Sequence, residues 1–184
     1  YERKPKRGVK KQIPKKVTFI LYDTSLSMGS TANSLKKNVR DLLVAAFVDG
    51  AFRESRIDPQ TGSKRVEHVV YAAPFNDTMG EVERLELRSE AESFFYRMTS
   101  LSPESAAGTD ISGALVKVFE KIAAHQAVTG ELSKARIILI SDGEDTIATQ
   151  RIENARAKVS KNTNIELNTF MLGTQNLDLK ALSS

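Results

Sequence analysis

An apolar run at residues 17–22 leads directly into the polar segment Asp23-Thr24-Ser25-Leu26-Ser27. A short, continuous apolar run bounded by turn residues is typical of a strand buried on both faces, as in a parallel sheet. Open α/β sheets bind their ligands where loops follow the carboxyl ends of such strands. The sequence therefore predicts a parallel strand that presents oxygen-bearing side chains at one edge of a sheet.

Three of these side chains alternate along the segment, as Asp23, Ser25 and Ser27. Alternate residues of an extended turn point the same way, so their oxygens can converge. Carboxylate and hydroxyl oxygens are hard donors, which suit Mg²⁺ or Mn²⁺ rather than Zn²⁺. Alone, the pattern is a weak signal, because small polar residues after a strand are ordinarily a turn or a helix cap.

Two later segments have the same character. Gly108-Thr109-Asp110 precedes a predicted amphipathic helix over residues 111–125, and Thr109 also suits the N-cap of that helix. Ser141-Asp142-Gly143 follows a predicted strand over residues 135–140. Each segment lies at a strand end or a helix start, which are the positions that gather at one edge of an α/β sheet.

Together the three segments resemble the metal-ion-dependent adhesion site (MIDAS) of the von Willebrand factor A (vWA) domain, and the resemblance covers nearly the whole chain. It implies that one divalent cation is shared by five residues: Asp23, Ser25, Ser27, Thr109 and Asp142. It further implies that the two serine hydroxyls bind the metal directly and that Thr109 binds directly or through water. Asp23 and Asp142 would then hold waters and the serine hydroxyls.

The remaining pattern alternates strands with helices, which predicts a doubly wound, Rossmann-like α/β fold. We expect a mostly parallel sheet with helices on both faces. The predicted strands are residues 17–22, 68–73, 81–88, 135–140 and 165–172, and the predicted helices are 34–54, 89–98, 111–125, 147–159 and 177–182. The link between 68–73 and 81–88 is too short for a parallel crossover, so 81–88 is predicted to be an antiparallel edge strand. vWA domains have such an edge hairpin.

In the first helix, seven apolar residues fall near the 3.6-residue period and are expected to face the core. They are Leu35, Val39, Leu42, Leu43, Ala46, Phe47 and Phe52.

Positive charge is concentrated at the start of the chain. Residues 1–16 carry a charge of +7 in a chain whose total is +4, so residues 17–184 sum to −3. We predict a basic extended tail or linker at 1–16 and a vWA domain at 17–184, whose last helix is cut short. The alternative is a nucleic-acid-associated protein that binds through the tail, with the vWA body as scaffold. No aromatic residues interleave the basic ones, so a nucleic-acid partner is not favoured.

Catalysis is poorly supported. The sequence has no phosphate-binding G-x-x-x-x-G-K motif, no G-x-S-x-G nucleophile motif and no cysteine. Its two histidines, His68 and His125, stand alone in a predicted strand and a predicted helix. A phosphotransferase of the haloacid-dehalogenase type would need an acid where Ser25 stands. We therefore expect no enzyme activity, and a Mg²⁺-dependent phosphoesterase is the least favoured alternative.

The resemblance implies a metal-dependent protein–protein interaction module, or adhesion domain. Neutral hydroxyl ligands leave the charge of Mg²⁺ or Mn²⁺ poorly neutralised, so the metal favours an external carboxylate. The expected partner is a protein that supplies a Glu or Asp side chain, and bacterial or intracellular assemblies with an AAA+ ATPase are one such setting. No run of 18 apolar residues occurs, so no membrane span is expected. The absence of cysteine favours a cytoplasmic location.

Overall fold

A computed structural model describes residues 15–29, 34–54, 67–85, 88–100, 108–129, 132–159, 161–173 and 175–183. Its strands are β1 (Lys15–Asp23), β2 (Glu67–Phe75), β3 (Glu83–Leu85), β4 (Leu132–Ser141) and β5 (Asn164–Met171). Its helices are α1 (Leu35–Glu54), α2 (Arg88–Ser100), α3 (Ile111–Thr129), α4 (Thr149–Arg156) and α5 (Leu177–Leu182), with a short 3-10 turn at Leu26–Met28. Most of the predicted basic tail, residues 1–14, lies outside the described residues.

The five strands form one sheet in the order β3-β2-β1-β4-β5. β1 runs parallel to β2 on one side and to β4 on the other, and β5 runs parallel to β4. β3 pairs antiparallel with β2 at the edge, although it is shorter than the predicted 81–88 segment. The predicted fold class is confirmed. The strand order reverses at β1, so the crevice beyond the carboxyl ends of β1 and β4 is the place where such sheets bind ligands.

Both faces of the sheet are covered by helices, and alternate residues of β1 serve the two faces. Phe19 and Leu21 belong to a core formed with α3, α4 and α5. Ile20 and Tyr22 belong to a second core formed with α1 and α2. This alternation follows from the pleat of a strand, whose successive side chains point to opposite faces. Within the described ranges, no helix is both long and apolar enough to cross a membrane.

Helix α1 turns a different face to the core from the one predicted. Leu35 and Leu42, which were expected to be buried, are 79% and 71% exposed. The buried positions of α1 are Lys37, Arg40, Asp41, Val44, Val48 and Ala51. The prediction for this face was therefore wrong in part, because three charged residues occupy the buried stripe.

These charges can be buried because they satisfy one another. Lys37 Nζ donates to Asp41 Oδ2 at 2.8 Å and to the carbonyl oxygen of Thr99 at 3.0 Å. Arg40 donates to Asp41 Oδ1 from Nε at 3.0 Å and from Nη2 at 2.7 Å. Its remaining Nη1 donates to the carbonyl oxygen of Asp23 at 2.8 Å. The cluster thereby fixes α1 to the end of α2 and to the carboxyl end of β1.

Asp41→Asn should destabilise the fold strongly, because Lys37 and Arg40 would keep their buried charges and lose their common counter-ion. We expect the free energy of unfolding to fall by about 3 kcal/mol or more. Asp49→Asn is the matched control, since Asp49 pairs with Arg53 on the exposed side of the same helix, and its effect should stay below about 0.5 kcal/mol. Urea denaturation measures both variants, and equal effects would contradict the structural role assigned to Asp41.

Candidate metal centre

Asp23 ends β1 and is fully buried. Its Oδ1 accepts a hydrogen bond from the backbone N–H of Ser25 at 2.8 Å, and its Oδ2 accepts one from the Ser141 hydroxyl at 2.6 Å. Burial raises the pKa of the Asp23 carboxyl, and the hydrogen bonds from Ser141 and Ser25 act in the opposite direction. The carboxylate therefore links the ends of β1 and β4, and each of its oxygens is already engaged by the protein.

Ser25 and Ser27 present their hydroxyls side by side, with the two Oγ atoms 3.0 Å apart. The 3-10 turn at Leu26–Met28 begins directly after Ser25 and brings the two serines to the same side. A hydroxyl has one proton and two lone pairs, so one hydrogen bond between the serines leaves lone pairs for a cation. This pair is the part of the centre best suited to direct metal binding.

Gly29 allows the chain to leave this turn. Its φ is +134°, a conformation that favours glycine, and a Cβ at this position would lie 2.0 Å from Ser34 Oγ. Ser34 Oγ in turn donates to the carbonyl oxygen of Met28 at 2.7 Å, just before α1 begins. This hydrogen bond holds the start of α1 against the loop that carries Ser25 and Ser27.

Asp142 directly follows β4 and is fully buried. Its Oδ2 accepts a hydrogen bond from Lys36 Nζ at 3.1 Å, and its Oδ1 accepts one from the backbone N–H of Glu144 at 3.3 Å. The same ammonium of Lys36 donates to the carbonyl oxygen of Ser27 at 3.1 Å. Lys36 thus joins the loop after β1 to the loop after β4.

Thr109 lies in the loop before α3, separated from the first residue of that helix by Asp110. The N-cap role considered for Thr109 belongs to Asp110, whose Oδ1 accepts from the backbone N–H of Gly113 at 2.7 Å. Ile111 N donates to Asp145 Oδ2 at 2.9 Å, which ties this loop to the one after β4. Among the described residues, no hydrogen bond joins the Thr109 hydroxyl to the other four predicted ligands. The structure therefore places Thr109 in the same cluster of loops without a direct link to them.

The donor set fits a hard divalent cation. It comprises two carboxylates and three hydroxyls, which is the oxygen chemistry that Mg²⁺ and Mn²⁺ prefer. In the part of the chain that the structure describes, no three His, Cys, Asp or Glu side chains gather closely enough to hold a metal by themselves. A cation at this centre would therefore depend on the hydroxyls of Ser25, Ser27 and Thr109.

Two residues of the centre were not predicted from the sequence. Ser141 orients Asp23 through its hydroxyl and accepts from the backbone N–H of Gly143 at 3.1 Å. The position of Ser141 could have indicated this role, because it is the last residue of β4 and directly precedes Asp142. Lys36 gave no signal, because a lysine in the first turn of a helix is ordinarily a solvated surface residue.

Asp23→Asn tests the electrostatic state of the centre. Because burial raises the pKa of Asp23 above the ordinary 3.8, the folded protein disfavours the ionised carboxylate, and that loss of stability develops as the pH rises through the folded-state pKa. An asparagine keeps the shape and stays neutral. In EDTA the variant should therefore be more stable than the wild type at neutral pH, and the difference should shrink as the pH falls toward 3.8.

Urea denaturation across that pH range measures the difference, with Asp49→Asn as an exposed control. A variant less stable than the wild type at neutral pH would show that the hydrogen bonds from Ser25 and Ser141 outweigh the cost of burial.

Several solved structures share this fold. Proximal thread matrix protein 1 from the mussel byssus, whose MIDAS motif is occupied by zinc, matches with a TM-score of 0.58 and 14% identity, over 94% of this chain and 42% of that protein. The manganese-loaded TRAP protein of Plasmodium vivax matches with a TM-score of 0.58 and 16% identity, over 91% of this chain and 62% of that protein. A von Willebrand factor type A protein from Catenulispora acidiphila matches with a TM-score of 0.54 and 14% identity, over 92% and 36%.

Sequence comparison adds no closer relative, since no protein-family model and no curated protein matches the chain. The chain spans less than two thirds of the length of each of the three proteins named above. The five-stranded, mostly parallel sheet of this chain, with one antiparallel edge strand and helices on both faces, is consistent with these matches. The chain therefore has the vWA fold.

Proposed function

We propose that this chain is a divalent-metal-dependent protein-interaction module. In this proposal one Mg²⁺ or Mn²⁺ is held by the five residues Asp23, Ser25, Ser27, Thr109 and Asp142. A Glu or Asp side chain of a partner protein completes the coordination. The observation that carries the proposal is the convergence of two fully buried carboxylates and a pair of serine hydroxyls beyond the ends of the adjacent strands β1 and β4.

The roles of the side chains follow from their hydrogen bonds. Both oxygens of Asp23 are engaged by Ser25 and Ser141, so Asp23 acts by orienting the serine loop and by its negative charge. Ser25 and Ser27 then supply the direct oxygen ligands. Since Mg²⁺ keeps several waters and the hydroxyl ligands are neutral, one water can be replaced by a carboxylate from outside.

Structures with this fold support metal binding of this kind. The mussel byssus protein has zinc in its MIDAS motif, and the Plasmodium vivax protein is loaded with manganese. In this chain the oxygen-only donor set favours Mg²⁺ or Mn²⁺ over zinc, which prefers nitrogen and sulfur ligands.

A protein partner fits the surroundings of the centre. Three exposed leucines, Leu26, Leu35 and Leu177, belong to the loops and helix starts around it. Leu26 stands between the two serines, Leu35 precedes Lys36, and Leu177 follows Asn176, whose amide donates to the carbonyl oxygens of the loop after β4. Apolar side chains beside a polar centre are typical of a surface that meets another protein. By the resemblance to vWA domains, we include assemblies with an AAA+ ATPase among the proposed settings.

We propose binding rather than catalysis. His68 lies near the start of β2, at the end of the sheet opposite the centre, and its Nε2 hydrogen-bonds to Thr18 Oγ1 at 2.6 Å. His125 lies late in α3, far along the helix from Thr109. Neither histidine is placed to transfer a proton at the centre.

Metal binding is the first consequence to test. Isothermal calorimetry with Mg²⁺ and Mn²⁺ should show saturable binding to the wild type. Ser25→Ala should weaken that binding by about tenfold or more, since it removes a ligand oxygen. Ser93→Ala is the control, because Ser93 is an exposed serine of α2. Absent binding in the wild type, or equal binding in Ser25→Ala, would overturn the metal site.

The open coordination position can be tested without knowing the partner. With Mn²⁺ bound, the protein should enhance the relaxation of water protons, because the bound ion tumbles slowly with the protein while its remaining waters exchange with the solvent. Acetate, which mimics the Glu or Asp of a partner, should reduce that enhancement by replacing a water, whereas acetamide has a similar shape and no charge and should have little effect. Mn²⁺ without protein supplies the background, and Ser25→Ala is the control with weakened metal binding. An equal response to acetate and acetamide would contradict recognition of a carboxylate.

A further inference from the structure

Lys36 occupies an unusual place for a lysine in the first turn of a helix. Its ammonium donates to Asp142 Oδ2 and to the carbonyl oxygen of Ser27, both at 3.1 Å. The ammonium therefore lies between the two loops that supply four of the five proposed metal-binding residues. A third oxygen, Glu144 Oε1, lies 4.0 Å away.

Lys36 is the one cation paired with Asp142 among the described residues. A fully buried carboxylate is costly unless a counter-charge or hydrogen bonds compensate it. The other charged residues of this part of α1, Lys37 and Arg40, are turned toward Asp41 and cannot serve the same purpose. The positive charge that Asp142 needs is therefore supplied by the chain itself.

We propose that Lys36 is an intramolecular cation that competes with the divalent metal for Asp142 and thereby sets the metal affinity of the centre. This inference rests on the metal site proposed above. A dication that binds at Asp142 becomes a close neighbour of the ammonium, and like charges at such a distance repel. Metal binding must therefore either displace the ammonium or be weakened by the repulsion between the two cations.

The structure provides a place for the displaced ammonium. The Lys36 side chain is 35% exposed and that of Glu144 is 55% exposed. A lysine has a flexible four-carbon stem, so its ammonium can move from Asp142 toward Glu144 and the solvent without a change in the backbone. Metal entry and lysine exit are then a single exchange of cations at Asp142.

Lys36→Met tests the exchange, because methionine keeps an unbranched side chain and removes the charge. Calorimetry with Mg²⁺ and with Mn²⁺ should show binding roughly tenfold tighter than in the wild type. Lys121→Met is the matched control; Lys121 is exposed on α3, about 15 Å along the helix axis from its first residue, and its effect should stay below about twofold. Unchanged or weaker binding in Lys36→Met would overturn the proposal, weaker binding indicating that Lys36 only holds the two loops in place.

A second measurement needs no metal. In EDTA, Lys36→Met should lower the unfolding midpoint of the wild type but not that of Asp142→Asn, since the pair is already broken there. Lys36→Gln, which keeps a donor for the Ser27 carbonyl oxygen, should behave as Lys36→Met does. Absence of this coupling would overturn the role of Lys36 even if the wild type binds metal. Coupling with no metal binding in any variant would overturn the metal site, and with it the competition.

Discussion

The buried carboxylate of Asp23 is the point on which the arrangement of this molecule depends. The carboxylate accepts hydrogen bonds from the backbone N–H of Ser25 and from the hydroxyl of Ser141. The backbone carbonyl oxygen of Asp23 accepts a third hydrogen bond, from Arg40 Nη1. One residue therefore joins the serine loop, the end of β4 and the buried side of α1. Burying a charge is unfavourable unless it is well hydrogen-bonded. The three elements must accordingly keep their positions for the carboxylate to remain satisfied.

Helix α1 extends this constraint to the second carboxylate. Lys36 and Arg40 are four residues apart, so they lie on the same side of the helix. Arg40 donates to the carbonyl oxygen of Asp23, and Lys36 donates to the carbonyl oxygen of Ser27 and to the carboxylate of Asp142. The next pair at this spacing, Lys37 and Asp41, fixes the rotation of the helix. The buried cluster of Lys37, Arg40 and Asp41 thus fixes the position of α1. The position of α1 in turn determines which groups of the proposed metal centre the Lys36 ammonium can contact.

The elements that could be predicted from the sequence are those with a local sequence pattern. A continuous apolar run with a polar turn marked β1, and the short link after β2 marked the antiparallel β3; both are confirmed. The fold also brings the predicted loops to one edge of the sheet.

The buried face of α1 could not be predicted from the sequence. Leu35 and Leu42 fit the helical period, whereas charged residues such as Lys37 and Arg40 are not expected in a core. Their burial depends on distant partners, the carbonyl oxygens of Thr99 and Asp23, which no local pattern reveals. The same holds for Lys36.

An internal cation also bears on which partner the centre would select. Two buried carboxylates and one ammonium leave a modest negative charge, and a dication reverses its sign unless the ammonium departs completely. With the displaced ammonium paired to Glu144, the proposed metal and the two buried carboxylates would sum to zero. The neutral hydroxyl ligands would still leave the metal itself poorly neutralised, so that a carboxylate from another protein would bind it. Binding of metal and binding of an acidic partner are then linked, and each strengthens the other by the same factor. In this proposal Lys36 weakens the binding of metal alone and a partner's carboxylate strengthens it, so the centre would be filled chiefly when the partner is present.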